Sequence, residues 1–143
     1  MKVKYIQGDI FTIPLSNGKF AICQLVFSPK GKFKQVIGFC VLFIQDDNFF
    51  YNDDKLAPKK FIDMGREKKI IFTGCQNIRN GSWEIIGHVD LTEDKEELKI
   101  FNFAGGIYNG EEEIKRIPVS EYHKYTSMEV CGFELVDDIL TSI

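Results

Sequence analysis

The chain has 143 residues, 44% of them apolar and 27% charged, which is enough to bury one core and too apolar for a disordered chain. Its formal net charge of −3 disfavours a dedicated nucleic-acid binder, and no stretch approaches the roughly 20 apolar residues that a membrane span requires. The start, Met1-Lys2-Val3-Lys4-Tyr5-Ile6-Gln7-Gly8, lacks the apolar run of a secretory signal. Residues 1–143 are therefore expected to form a single cytoplasmic domain.

The charge is unevenly spread. Residues 1–45 carry six lysines and one aspartate, whereas residues 111–143 carry eight acidic and three basic side chains. Folding would either separate these ends into faces of opposite sign or pack them side by side.

Asp9 to Leu15 reads as a strand, with Pro14 at an edge position or near its end because it lacks a backbone donor. Ser16-Asn17-Gly18-Lys19 contains the Asn-Gly pair favoured in type I′ hairpin turns. Phe20 to Phe27 resumes as a strand, with Ala21, Cys23, Leu25 and Phe27 on one face and Phe20, Ile22, Gln24 and Val26 on the other. Both faces are mostly apolar, so both should be covered. Ser28-Pro29-Lys30-Gly31-Lys32 is a second turn, and Gln35 to Gln45 a central strand in which Gly38 relieves crowding or marks a bend. These three strands form an antiparallel meander that organises the sheet.

Asp46 to Met64 is polar and reads as a loop holding a short helix or strand. Lys68 to Thr73 is a short strand, Gly74 to Gly81 a loop, and Ser82 to Val89 another strand. Leu91 to Glu97 reads as an acidic turn, and Leu98 to Phe103 alternates as a strand that Gly105-Gly106 ends. Tyr108-Asn109-Gly110 is a turn, Ile114 to Val119 a strand, and Ser120 to Tyr125 a short helix. Phe133 to Ile139 does not fix its own period, so helix and strand both remain open there. The fold class is α+β, with a predominantly antiparallel sheet of SH3-like or partly open barrel form and one or two short helices.

Catalytic machinery is thin. His88 and His123 lie outside any zinc-binding spacing, and Cys23, Cys40, Cys75 and Cys131 form no C-x-x-C pair. The cysteines read as small buried hydrophobes, and nothing in the sequence selects Cys75 with His88 as a catalytic pair. No cofactor fingerprint is present. Trp83, the single indole, reads as at least partly buried. The acidic runs Asp46-Asp47, Asp53-Asp54 and Glu111-Glu112-Glu113 match neither a calcium loop nor a separated catalytic pair. Their functional reading is an acidic surface that steers association with a basic protein partner. Lys30, Lys32, Phe33 and Lys34 offer a rival surface for RNA, with Phe33 the exposed ring available for stacking.

The run Gly8-Asp9-Ile10-Phe11-Thr12-Ile13-Pro14-Leu15-Ser16-Asn17-Gly18-Lys19-Phe20-Ala21 resembles the start of the Immunity protein 26 family of bacterial polymorphic-toxin systems. Gly81-Ser82-Trp83-Glu84-Ile85-Ile86-Gly87, followed by Val89-Asp90-Leu91, resembles that family's later Trp, aliphatic-pair and glycine element, in the same order. The resemblance implies a small non-enzymatic α+β protein that binds and neutralises a cognate toxin domain, a nuclease among the candidates for that toxin. Gly8-Asp9 before a hairpin also occurs in SH3-like barrels and PemK-like toxins. A protein- or RNA-binding module and a small β-barrel enzyme are therefore the alternatives.

Overall fold

The computed structural model describes residues 2–50 and 56–143. The strands are β1 (Asp9–Pro14), β2 (Phe20–Phe27), β3 (Val36–Gln45), β4 (Phe61–Asp63), β5 (Arg66–Lys68), β6 (Ile71–Gly74), β7 (Ile85–His88), β8 (Ile100–Phe103), β9 (Gly106–Asn109), β10 (Glu112–Arg116) and β11 (Val130–Cys131). The helices are α1 (Gln76–Arg79), α2 (Glu93–Glu96) and α3 (Phe133–Thr141), with 3-10 turns at Glu97–Lys99 and Val119–Lys124. The fold is α+β and mostly antiparallel, as the sequence indicates.

The meander β1–β2–β3 forms the centre of a six-stranded sheet of order β11-β6-β3-β2-β1-β7. All of its pairings are antiparallel except that of β11 with β6. Its terminal strands β11 and β7 do not pair, so among the described residues this sheet is open. A second sheet has the order β10-β9-β8, and β4 and β5 form a separate hairpin.

Both faces of the large sheet are covered, as its two-sided apolar strands require. On one face Phe11, Cys23, Leu25, Ile37 and Phe39 meet Trp83, Ile78 of α1, and Val136, Ile139 and Leu140 of α3. On the other, Ile10, Ile22, Val26, Cys40 and Phe72 meet Phe101 and Tyr108 of the small sheet. Each fully buried side chain of this size contributes about 1.5–3 kcal/mol of transfer free energy. The terminal segment resolves as a helix because Val136, Ile139 and Leu140 fall at i, i+3 and i+4 and share its buried side. Asp137 fixes that helix to the first hairpin by accepting bonds from Ser16 N at 2.9 Å and Ser16 Oγ at 2.5 Å.

Several local expectations are corrected. The β1–β2 connection is not a type I′ turn, because Gly18 has positive φ (+84°) and Asn17 does not. The Asn17 side chain instead accepts Lys19 N at 3.0 Å, and Gly18 N bonds to Leu15 O at 3.0 Å. Phe27 leaves the Cys23 and Leu25 face, because the register shifts between Leu25 and Phe27. The strand expected over Lys68 to Thr73 divides between β5 and β6. Gly74 to Gly81 contains α1, and the expected acidic turn contains α2. Gly38 does relieve crowding: a Cβ there would lie 3.1 Å from Phe27 Cβ, Ile70 Cδ1 and Phe72 Cε1.

Candidate functional site

The acidic segments expected to face a partner are distributed among different roles. Glu111 follows the Gly110 turn and reaches across to the β2–β3 connection. Its Oε1 accepts Gly31 N at 2.6 Å and its Oε2 accepts Lys30 N at 3.3 Å. Glu113 accepts from Tyr108 Oη at 3.4 Å and pairs with Arg116 at 3.2 Å. Arg116 in turn donates to Ala104 O at 3.0 Å. Two members of the triple therefore hold the small sheet and its neighbouring loop, and Glu112 alone has no side-chain partner among the described residues. At the exit of β3, Asp47 Oδ1 accepts Gln45 Nε2 at 2.8 Å and Phe49 N at 3.2 Å, closing a local turn. Asp46 beside it is exposed. Asp53 and Asp54 lie outside the described residues.

Phe33 is corrected from exposed to buried, at 6% exposure. Its ring meets Phe27, Phe101, Phe103 and Tyr108 with centroids 5.2–6.2 Å apart. Lys32 Nζ lies 5.3–5.5 Å from the ring centroids of Phe33, Phe103 and Tyr108, and bonds to Tyr108 Oη at 2.9 Å. The four-residue RNA surface is thereby dismantled: its ring stabilises the interface between the sheets, and one of its lysines caps that aromatic cluster.

The structure does not join Cys75 to His88. Cys75 Sγ lies 3.8 Å from both Lys34 O and Arg79 Nη1. His88 instead sits between two carboxylates, with Nδ1 2.8 Å from Asp9 Oδ1 and Nε2 3.0 Å from Asp90 Oδ1. An ionised carboxylate only accepts, so the pair of bonds is complete when the imidazole is protonated and each ring nitrogen donates to one aspartate. The bond to Asp9, then that to Asp90, raises its pKa above the ordinary histidine value. Asp9 also accepts Ile6 N at 2.9 Å through Oδ2, so the cluster ties the chain entry, β1 and the end of β7 together. Because the folded pKa is raised, this stabilisation is complete below about pH 6.5 and is lost as pH rises through the folded value. Urea unfolding of wild type and His88→Asn is expected to differ most at acidic pH and to converge in alkali; a gap that widens in alkali would contradict the clamp.

The four cysteines are buried and unpaired, as their neighbours suggest. Burial pushes the Cys40 thiol up to about 12 and holds Cys23 well above its usual value, so neither is a ready nucleophile at neutral pH. Among the described residues, no three His, Cys, Asp or Glu side chains are grouped as a metal site.

Sequence reasoning missed one surface. The β4–β5 hairpin turns at Met64 and Gly65, both at positive φ, and exposes Ile62 (66%) and Met64 (85%). Beside it, Arg66, His123, Tyr125 and Glu129 line a groove of about 370 Å³. The available signal was the apolar pair Ile62 and Met64 just before Gly65 within a polar stretch.

The two sequence blocks that carry the family resemblance both serve the fold. Gly8 and Asp9 build the entry to β1, and Trp83 (5% exposed) lies in the core. No helix is long and apolar enough to cross a membrane among the described residues. No curated protein and no solved structure matches the chain. A family model for Immunity protein 26 does match, over residues 6–113, spanning β1 through the acidic triple. With both blocks and most of the chain inside that match, the protein belongs to the Immunity protein 26 family, which gives it an immunity role and a toxin as the kind of partner it binds.

Proposed function

We propose that this chain binds and neutralises one cognate toxin domain by occupying it, without chemistry on the toxin. The observation that carries this reading is the family match over residues 6–113. Recognition needs a rigid scaffold and a complementary face, which the two-sided core and the exposed strand β10 supply.

Within that reading, the steering charges are Glu112 and Asp46, whose carboxylates are not engaged in holding the fold. Asp47, Asp53, Asp54, Glu111 and Glu113 complete the acidic set, with Glu111 and Glu113 acting mainly through the scaffold. A toxin with a positive substrate groove, such as a nuclease, would suit these groups. The exposed Ile62 and Met64 would add apolar anchors.

Kinetics with a purified cognate toxin domain separate the two kinds of glutamate. Glu112→Gln with Asp46→Asn is expected to slow association and flatten its salt dependence, with thermal stability unchanged. Glu111→Gln is expected to lower thermal stability instead, because neutralising the acceptor weakens two charge-assisted bonds. Wild-type association by the double variant removes these groups from the interface. Absence of any complex with the toxin domain removes the reading itself.

A further inference from the structure

A cleft of about 360 Å³ lies beside the β2–β3 connection, where three separate segments bring cations together. Lys2 comes from the entry segment, Lys30 and Lys34 from the connection, and Arg79 from the end of α1; no carboxylate lines the cleft. None of these four cations takes part in an ion pair among the described residues. The acid bonded to this connection, Glu111, is directed at the backbone N–H groups of Lys30 and Gly31.

The walls of the cleft are held by the fold, and its three lysines reach it from the exposed surface. Tyr5 forms one wall, half-buried against the core, with Lys30 Nζ 5.0 Å from its ring centroid. Arg79 Nη1 lies 3.8 Å from Cys75 Sγ, and that thiol lies 3.8 Å from Lys34 O, so one buried cysteine joins the helix to the loop. The entry segment is held by Val3 N on Arg79 O at 2.8 Å. Burial first, and contact with Cys75 next, push the Tyr5 hydroxyl up to about 12. Like charges gathered in a concave site repel one another until an anion enters. Guanidinium and ammonium groups are the donors that phosphate oxygens accept best.

We propose that this cleft binds a compact ligand bearing two or more phosphate groups, of the class of inorganic pyrophosphate or the polyphosphate end of a nucleotide. Its volume falls in the range of small-ligand sites. Compactness follows from charge: Glu111, bonded to the backbone of Lys30 and Gly31, sets a carboxylate beside the lysine connection, so a polyanion extended along that connection would meet a like charge. The proposal is independent of the toxin reading and needs no toxin for its test.

Titration calorimetry of the full chain with pyrophosphate is expected to give saturable one-to-one binding that weakens with added salt. Lys30→Ala and Lys34→Ala each remove one charged donor while leaving the backbone bonds in place, and each should weaken binding about tenfold. Lys19→Ala, on the distant β1–β2 turn, should leave it unchanged. A thermal-shift series with the same probe should follow the same order. No saturable binding, or equal weakening by all three variants, overturns the proposal. A single-stranded RNA oligonucleotide that binds more tightly than pyrophosphate overturns the compact-ligand assignment in favour of a nucleic-acid strand.

Discussion

Trp83→Ala is expected to lower the unfolding free energy by about 3–5 kcal/mol, a large part of the 5–15 kcal/mol that holds a domain of ordinary stability. The indole is 5% exposed and lies where three elements meet. It stacks on Phe11 at 5.9 Å and meets Phe39 edge-on at 6.0 Å, both from the large sheet. Its other neighbour is Phe133 of α3 at 5.4 Å. Truncation removes the apolar transfer term and leaves a cavity between sheet and helix that neither can close alone. Trp83→Phe should lose much less and bind the toxin as wild type does. Urea unfolding measures both variants; a loss under about 1 kcal/mol for the alanine variant would place Trp83 outside the core.

Gly8→Ala is the second large effect, at about 2–3 kcal/mol. Gly8 has φ +97°, a conformation that L side chains rarely adopt. A Cβ there would lie 2.7 Å from His88 Cε1 and 2.8 Å from Val89 O. The second contact is backbone, so it cannot be relieved by a rotamer change. The same residue donates N–H to Leu25 O at 2.7 Å and accepts Val89 N at 3.0 Å, stitching the entry of β1 between β2 and the end of β7. Displacing His88 also loosens the Asp9–His88–Asp90 cluster. The variant should therefore lose stability and flatten its dependence on pH together, as read by unfolding curves at several pH values. A pH profile parallel to that of wild type would separate Gly8 from the clamp.

These two positions act on the scaffold in different ways: Gly8 fixes a backbone conformation that L side chains rarely adopt, and Trp83 fills the joint between sheet and helix. Both act on the scaffold, which leaves recognition to surfaces that can change without unfolding it.

The meander was legible because two strong local signals agree: apolar β-formers fill β1 to β3, and Gly18 and Gly31 punctuate them. The terminal helix was ambiguous because Phe133 and Leu135 remain exposed, while Val136, Ile139 and Leu140 carry the buried period. Strand β10 was partly hidden, since all five residues from Glu112 to Arg116 are exposed and give no alternation. The β4–β5 hairpin depends on Met64 at positive φ, which its residue type does not announce. The roles of the acidic triple were beyond local reading for a different reason. Glu111 finds its partners about 80 residues earlier in the chain, and Phe33, flanked by lysines, turns inward onto a sheet formed by residues 100–109.

The central claim is neutralisation by occupancy, and stoichiometric inhibition of the purified cognate toxin domain tests it most directly. The account predicts that toxin activity falls linearly to zero at one equivalent of this chain, that the toxin's mass is unchanged, and that activity returns when the complex is dissociated. Inactivation by substoichiometric amounts, or a toxin left covalently altered after separation, would contradict it.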